Sequence, residues 1–189
     1  MKILAFGASN SSKSINKKLV TSVAKYYKEF DDIKEVIDLN DYSMPIFSVD
    51  YEVEHGIPQQ AYDFAGKIDW ADFILISFAE NNGNYNACYK NIIDWVSRIK
   101  GRKIFNGKPV FLLATSPGSR GGQSVLGIAE QRLPYDGAEV LDTFSLPEFN
   151  NNFEEGKGVT NMLLRSQLEA KVRKTKRTLK EKFENNTES

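Results

Sequence analysis

Two short segments of this chain, Phe73–Phe78 and Pro109–Thr115, are almost entirely apolar, and they constrain its fold more than any other feature. A strand without polar alternation is buried on both faces, as a central strand of a parallel sheet is when helices cover the sheet. Apolar residues at helical spacing precede and follow these segments. The sequence therefore predicts an α/β fold built around a parallel sheet.

Strand and helix patterns alternate along the whole chain. The predicted strands are Lys2–Phe6, Ile33–Asp38, Phe73–Phe78, Pro109–Thr115 and Glu139–Ser145, and the predicted helices are Ser14–Phe30, Gln59–Ala71, Ala87–Ile99, Gln123–Tyr135 and Val159–Phe183. Five strands separated by helices indicate a doubly wound sheet. We expect a single domain over residues 1–184, a polar connection over Asn150–Gly158 and a frayed tail over residues 185–189.

Composition and charge exclude several classes of function. Hydrophobic residues make up 41% of the chain and charged residues 26%, which is ordinary for a soluble globular protein. The 25 Lys and Arg residues balance the 25 Asp and Glu residues, so no overall field attracts nucleic acids or acidic membranes. No apolar run approaches the length of a transmembrane helix, and the chain begins with a strand rather than a signal peptide. We therefore expect a small-molecule partner, and neither a nucleic acid nor a membrane.

The scarcity of cysteine and histidine limits the chemistry. Cys88, the single cysteine, cannot form an intrachain disulfide, which fits a cytoplasmic protein. One cysteine and one histidine leave little room for a metal cluster, and we predict no metal. The histidine, His55, precedes a predicted helix, and we interpret it as a solvated loop residue rather than a base. We predict no catalytic side chain, so a cofactor would carry the chemistry.

The segment Leu4–Asn16 predicts a phosphate site, because an apolar strand ends in small and hydroxyl residues and a helix pattern begins at once. Small residues let backbone N–H groups converge, hydroxyls add donors, and the helix directs the positive end of its dipole into the same space. A simpler alternative is that Ser12 or Ser14 only caps the helix.

Two related motifs fit this segment less well. A dinucleotide-binding turn requires G-x-G-x-x-G, and only Gly7 is present. A nucleotide-binding P-loop requires G-x-x-x-x-G-K-S/T, which Gly7–Ser14 matches except that Ser12 replaces the second glycine. The strand Phe73–Ser77 also ends without the aspartate that such enzymes use for magnesium. A phosphate-loop nucleotide enzyme remains a minor alternative.

Three polar loops follow predicted strands: Ala8–Lys13, Ala79–Asn86 and Ser116–Gly122. In doubly wound sheets, ligands bind beyond the carboxyl ends of the strands, where the strand order reverses. The loops are rich in Gly, Ser and Asn, which expose backbone donors and acceptors. We predict that the three loops together form one site for a flat or anionic ligand.

These loops resemble those of the NAD(P)H-dependent FMN reductase family, flavodoxin-like proteins that include chromate, quinone and azo-dye reductases. The family pattern G-S-x-R-x-x-S-x-N falls on residues 8–16, P-E-Y-N-x-S-x-P-x-x-L-K-N-x-I-D-W falls on residues 79–95, and S-x-G-x-x-G-G falls on residues 116–122. Met44-Pro45-Ile46-Phe47 is similar to the family's L-P-L-Y segment. The resemblance runs from about Lys2 to Phe149 and implies a three-layer sandwich with a five-stranded parallel sheet in the order 2-1-3-4-5.

The resemblance also implies an FMN site with non-covalent FMN, NAD(P)H as co-substrate, and a homodimer or homotetramer. The residues implied for the phosphate are Ser9, Ser11, Ser14, Ile15 and Asn16, with their backbone N–H groups. Those implied along the flavin ring are Glu80, Asn81, Asn82, Gly83, Ser116, Gly118 and Gly121. The sequence departs from the family where Ser11 replaces an arginine, with Lys13 nearby, and where Ala79-Glu80-Asn81-Asn82 replaces P-E-Y-N.

Other polar and aromatic residues have simpler interpretations. Trp95 lies on the apolar side of a helix and is either a core or an interface residue, and Asp94 is a structural carboxylate. Arg120 is either a solvated cation or a contact to NADPH or flavin. The basic stretch Arg165–Lys182 has an apolar stripe and is expected to pack on the sheet rather than to bind a membrane or nucleic acid.

The main hypothesis is an FMN-dependent oxidoreductase that takes a hydride from NAD(P)H and passes electrons to a flavin, quinone, azo compound or metal oxyanion. An FMN-binding electron-transfer module without efficient NAD(P)H turnover is the alternative, because the first-loop arginine is missing. The phosphate-loop nucleotide enzyme is the third hypothesis.

Overall fold

A computed structural model describes residues 1–27 and 33–185 and confirms the α/β fold. Its central sheet contains the five parallel strands β1 (Lys2–Ala8), β2 (Ile33–Ile37), β3 (Phe73–Phe78), β6 (Pro109–Thr115) and β7 (Glu139–Leu146). They lie in the order β2-β1-β3-β6-β7, which is the predicted 2-1-3-4-5 order. The last residues of the predicted first helix, 28–30, and the tail residues 186–189 lie outside the described residues.

The helices are α1 (Ile15–Ala24), α2 (Val49–His55), α3 (Gln59–Trp70), α4 (Ala87–Val96), α5 (Gln123–Arg132), α6 (Phe149–Asn152) and α7 (Met162–Asn185). Short 3-10 helices cover Lys25–Tyr27 and Leu39–Tyr42, and two small hairpins pair β4 (Glu80–Asn81) with β5 (Asn84–Tyr85) and β8 (Phe153–Glu154) with β9 (Gly158–Val159). Within the described residues, no helix is both long and apolar enough to cross a bilayer.

Helices cover both faces of the sheet and form two hydrophobic cores. One core joins α3, α4 and α5 to one face, and the other joins α1 and α7 to the opposite face. Every residue of β3 and β6 is buried, as expected for central strands whose side chains point alternately into the two cores. Gly7 in β1 lets α1 approach closely, because an added Cβ would lie 2.6 Å from the backbone nitrogen of Lys17.

The basic stretch at the end of the chain forms α7 and packs on the sheet, as predicted. Leu168, Val172 and Leu179 are buried on its inner side. Lys171 and Lys174 donate hydrogen bonds of 2.7 and 2.9 Å to the carboxylate of Asp142 in β7. Burial alone would raise the pKa of Asp142, but these bonds lower it below its ordinary value. The lysines of α7 therefore help to attach the helix to β7.

Several short elements were not predicted. The polar connection 150–158 contains most of α6, the strand β8 and the turn that leads to β9. His55 is exposed, as predicted, but it lies at the end of α2 rather than in a loop. Its ring stacks on Tyr51 at a centroid distance of 4.3 Å. The α2 helix has no fully buried side chain, and Ser48 caps its N-terminus by accepting a hydrogen bond at Oγ from Tyr51 N. Without a buried stripe, α2 has no periodic signal in the sequence.

Two buried tyrosines offer a matched test of core polarity. Tyr27 Oη and Thr175 Oγ1 are hydrogen-bonded at 2.6 Å, whereas the buried Tyr89 Oη has no partner within the described part of the chain. We expect Tyr89→Phe to raise the free energy of unfolding by about 1 kcal/mol, because the variant removes an unpaired buried hydroxyl. Tyr27→Phe should lower it by about 1 kcal/mol. Urea denaturation measures both values, and the reverse ranking would contradict the assignment.

Candidate functional site

The three polar loops meet at the carboxyl ends of adjacent strands. Gly7 in β1 lies opposite Ser77 in β3, and Phe78 in β3 lies opposite Ala114 in β6, so the strands end at nearly the same level. We call residues 8–13 the first loop, residues 79–86 the second loop and residues 116–122 the third loop. Hydrogen bonds connect the second loop to the first loop and to α5, and they connect the third loop to the end of β7.

Asn16, at the start of α1, connects the first loop to the two central strands. Its Nδ2 donates to the carbonyl of Thr115 at 3.1 Å, and its Oδ1 accepts from Thr115 N at 3.0 Å and from Ser77 Oγ at 2.7 Å. The side chain is almost fully buried. Asn16 therefore uses most of its amide capacity to hold protein groups, and its backbone N–H and one amide hydrogen remain for a ligand.

The first loop presents unpaired backbone donors. Ser14 caps α1, since its Oγ accepts from Lys17 N at 3.1 Å, and Ser9 Oγ accepts from Ser11 N at 3.1 Å. Within residues 1–27 and 33–185, the backbone N–H groups of Asn10, Ser12, Ile15 and Asn16 donate to no protein acceptor. Those of Ile15 and Asn16 point out of the helix N-terminus, where the dipole favours an anion. The serine hydroxyls that accept these bonds keep their own hydrogens for donation.

The second loop is a tight hairpin that the sequence reading missed. Asn82 and Gly83 have φ values of 52° and 75°, and they connect β4 to β5. Positive φ at both central residues is the geometry of a type I′ turn, for which Asn-Gly is the preferred pair. This dipeptide was the signal in the sequence. An added Cβ at Gly83 would meet no heavy atom within 4 Å, so the turn faces open space.

Glu80 and Asn86 connect the second loop to α5 and to the first loop. Glu80 Oε2 accepts a hydrogen bond of 3.0 Å from Val125 N, so Glu80 caps the N-terminus of α5, which follows the third loop. Asn86 caps α4 by accepting from Cys88 N at 3.0 Å. Its Nδ2 also donates to Asn81 Oδ1 at 3.0 Å and to Asn10 Oδ1 at 3.4 Å. No sequence motif predicts the contact of Glu80 with Val125 or that of Asn86 with Asn10.

The third loop combines one open glycine with one tightly packed glycine. An added Cβ at Gly118 would meet only Ser116 Oγ, at 3.9 Å, whereas one at Gly121 would lie 2.5 Å from Ser145 Oγ and 2.8 Å from Pro147 N. Ser145 Oγ also donates to the carbonyl of Gly121 at 3.0 Å. The carbonyl of Gly118 accepts from Glu148 N at 3.0 Å. The loop is therefore fixed against the end of β7, and Gly118 lines its open side.

Arg120 lies at the tip of the third loop and is exposed. Its guanidinium donates a hydrogen bond of 2.7 Å to Ser124 Oγ in the first turn of α5. This contact leaves most of the five guanidinium donors directed to solvent. Its contact to NADPH or flavin stays a prediction.

The segment Met44–Phe47 is held beside the first loop by α4. Asn91 Oδ1 accepts from Phe47 N at 2.8 Å, and its Nδ2 donates to the carbonyl of Pro45 at 3.0 Å. Trp95 Nε1 donates to the same carbonyl at 2.8 Å, and the Trp95 ring is fully buried. The K-N-x-I-D-W motif thus positions this segment, and Trp95 is a core residue of the described chain.

Three titratable groups near the rim, those of Cys88, Tyr85 and Asp38, have shifted pKa values. Burial raises the pKa of the Cys88 thiol, which keeps it protonated at neutral pH, and burial raises the pKa of Tyr85 to about 12. The hydrogen bond from Lys17 lowers the pKa of Asp38 at the end of β2. Among the described residues, no three His, Cys, Asp or Glu side chains are close enough together to hold a metal ion. The three loops carry mostly amide and hydroxyl side chains, together with the charged side chains of Lys13, Glu80 and Arg120.

A model of the NADPH-dependent FMN reductase family matches residues 1–151, which include β1 to β7 and all three loops. The chain belongs to this family. The resemblance inferred from the loop sequences is thereby confirmed.

The chain is also similar to curated quinone reductases. A 2-hydroxy-1,4-benzoquinone reductase of a Burkholderia species is 31% identical over 121 residues, which cover 64% of this chain and 63% of the relative. A quinone reductase of Escherichia coli K12 is 32% identical over 106 residues, covering 56% and 54%. The matched part thus spans less than two thirds of the length of either relative.

Solved structures show the same fold. A flavoenzyme NAD(P)H:(acceptor) oxidoreductase from Paracoccus denitrificans has a TM-score of 0.69 at 23% identity, covering 93% of this chain and 97% of that chain. An azoreductase from Bacillus anthracis has a TM-score of 0.61 at 17% identity, covering 92% and 97%. The fold of the present chain is therefore flavodoxin-like.

Proposed function

We propose that the protein is an FMN-dependent NAD(P)H oxidoreductase. The observation that carries this proposal is the convergence of three loops at one rim, with unpaired backbone donors at the start of α1 and open space over Gly83 and Gly118. An anionic group fits the first loop, and a flat group fits between the second and third loops. FMN has both groups, and the family to which the chain belongs supports it as the cofactor.

The residues present fit FMN in the following way. The backbone N–H groups of Ser12, Ile15 and Asn16 and the hydroxyls of Ser9 and Ser14 would hold the phosphate. Neutral donors replace the arginine of the family pattern here, so the dipole of α1 carries more of the attraction. Glu80, Asn81, Asn82, Gly83, Ser116, Gly118 and Gly121 belong to the loops that would flank the ring.

When bound, FMN supplies the redox chemistry, accepting a hydride from NAD(P)H and returning electrons to a second substrate. The protein contributes position. Glu80 and Asn86 hold the second loop at a fixed distance from α5 and from the first loop, and Asn16 holds the first loop to the strands. Reduction of a quinone to a hydroquinone would consume one proton in addition to the hydride, and solvent at the open rim would supply it, so we assign no general acid or base to a side chain.

A small-molecule acceptor fits this arrangement, and quinones are the acceptor class that the curated relatives support. The open rim accommodates planar molecules of different sizes, since Gly83 and Gly118 place no side chain over it. Flavins, azo compounds and metal oxyanions remain further candidates from the family. We place the protein in the cytoplasm, as the sequence predicted.

A flavin-binding module without efficient NAD(P)H turnover is the second candidate. The observation that favours it is the replacement of the family arginine by the exposed Ser11, which leaves the first loop without a guanidinium. A phosphate-loop nucleotide enzyme has less support, because residues 1–151 match the FMN reductase family.

One preparation tests these proposals. We expect the protein reconstituted with FMN to show the absorption spectrum of an oxidised flavin, which NADPH bleaches within the time of mixing. Addition of benzoquinone should then restore that spectrum. A bound flavin that NADPH does not reduce would identify the module instead. A protein that retains no FMN would overturn both.

We also propose a homodimer or higher homo-oligomer. Ile46, Val49 and Val53 are 86%, 61% and 83% exposed, and they lie on the segment and helix that cover the buried Trp95. Three exposed aliphatic side chains close together in sequence form the kind of apolar patch that a second copy covers. Sedimentation velocity of the reconstituted protein measures its mass, and a monomer at micromolar concentration would contradict this proposal.

A further inference from the structure

A surface groove runs along the exposed side of α1 and is bounded on its other side by the β8–β9 hairpin. Its volume is about 340 Å³, which lies at the low end of the range for small-molecule sites. Charged or aromatic side chains that line it are Lys13, Lys17, Lys18, Lys25, Phe153 and Glu155. We refer to it as the α1 groove. Its size fits part of a cofactor rather than a whole one.

The α1 groove begins at the phosphate site. Ser12 and Ser14 line both the groove and the turn that presents the unpaired backbone donors. From there the groove follows α1 as far as Lys25, about 16 Å along the helix axis at the usual rise per residue. None of its lining residues belongs to the second or third loop. A ligand that enters the groove therefore extends from the phosphate in a different direction from the flavin ring.

The groove is positively charged. Lys17 is paired with Asp38 at 2.6 Å and Lys18 with Glu155 at 3.0 Å. Lys13 and Lys25 have no carboxylate partner within the described residues. Four lysines against one lining carboxylate favour an anion, and the Lys18–Glu155 pair is exposed enough to exchange Glu155 for a phosphate.

The wall opposite α1 is fixed and partly aromatic. Gly158, with φ of 81°, lies so close to α1 that an added Cβ would be 2.6 Å from Ser22 Oγ. The half-buried ring of Phe153 stacks on Phe149 at a centroid distance of 4.6 Å. The hairpin therefore does not need to move to form the groove, and Phe153 gives a purine base an aromatic surface to pack against.

We propose that the α1 groove binds the adenylate half of FAD, so that the protein accepts FAD as well as FMN in the same flavin site. This inference rests on the proposed flavin-binding function. The flavin-proximal phosphate would occupy the first loop, the second phosphate would lie among Lys13 and Lys18, and the adenosine would lie between Lys25 and Phe153. The order of groups along FAD matches the order of sites from the second and third loops, through the start of α1, to the groove.

Calorimetric titration of the apoprotein with FMN and with FAD tests the proposal. In the wild-type protein we expect FAD to bind at least as tightly as FMN. In the double variant Lys18→Glu/Lys25→Glu we expect the ratio of the FAD to the FMN dissociation constant to rise about tenfold, because Lys18→Glu repels the second phosphate and Lys25→Glu removes a cation beside the adenosine. Lys100→Glu/Lys103→Glu is the matched control, because it makes the same charge change in the exposed turn before β6, at the amino ends of the strands.

Each other outcome overturns a defined statement. If neither flavin binds, the proposed function fails and this inference fails with it. If FMN binds while FAD binds at least ten times more weakly, or if the groove variant leaves the ratio unchanged, this inference alone fails. If the groove variant weakens NADPH binding to the FMN-loaded protein without changing the flavin ratio, the groove holds the adenylate of the nicotinamide cofactor, and the FAD assignment is overturned.

Discussion

Replacement of Asn16 by alanine is expected to lower the free energy of unfolding by about 3 kcal/mol. The side chain makes three buried hydrogen bonds, one with Ser77 Oγ and two with the backbone of Thr115. Alanine leaves those groups without partners in a place that is closed to water, and each unpaired group costs about 1 kcal/mol or more. The same bonds hold the start of α1 to β3 and β6, so their loss also displaces the phosphate donors. We expect the FMN dissociation constant to rise about tenfold or more.

Two further variants separate the structural effect from the contact to phosphate. Asn16→Asp keeps the acceptor for Thr115 N and Ser77 Oγ but places a negative charge beside the anion site. We expect Asn16→Asp to weaken the free energy of FMN binding by more than it lowers the free energy of unfolding. Asn10→Ala changes an exposed asparagine of the same loop and should alter stability by less than about 0.5 kcal/mol. Urea denaturation and calorimetric FMN titration measure both quantities, and equal stability of the Asn16→Ala and Asn10→Ala variants would contradict this account.

The sheet was predictable because its central strands carry an uninterrupted apolar signal. The bounds of β3 and β6 agree with the prediction to the residue. The helix ends were less accurate, because apolar spacing continues past the point where the backbone turns. The helix predicted over Gln123–Tyr135 ends at Arg132, two residues before Pro134. Leu133 still has helical dihedral angles (φ −59°, ψ −31°), but Pro134 has no backbone N–H to donate, so the helical hydrogen bonds end at Leu133.

The sequence predicted the position of the candidate site at one end of the sheet, but not the hydrogen bonds that its side chains make. The three loops meet at one rim because parallel strands that end at the same level bring their following loops together. The partners of the key side chains could not be read from the chain, since they are distant in sequence. Asn16 bonds to Thr115, 99 residues away, Glu80 to Val125, 45 residues away, and Trp95 to Pro45, 50 residues away.

The sequence also placed two glycines of the third loop in one role, and the structure distinguishes them. Both were expected to leave room for a flavin ring. A Cβ at Gly118 would point into open space, as that role requires, whereas one at Gly121 would point at Ser145 and Pro147. Gly121 thus allows the loop to pack on the end of β7, and a contact between its backbone and the flavin stays a prediction.

Because Gly121 packs against β7, we expect Gly121→Ala to lower the free energy of unfolding strongly. The residue has φ of 58°, and its new Cβ would lie 2.5 Å from Ser145 Oγ and 2.8 Å from Pro147 N, so the backbone of the loop must shift. Left-handed strain and overpacking together should cost about 3 kcal/mol of unfolding free energy, and FMN affinity should fall with it.

Gly118→Ala is the matched control, with stability within about 0.5 kcal/mol of wild type and reduced FMN affinity. Thermal and urea unfolding, each paired with FMN titration, compare the two variants. Equal loss of stability in both variants would mean that the third loop packs on β7 through other residues. Unchanged FMN affinity in Gly118→Ala would show that the flavin ring does not lie against this loop.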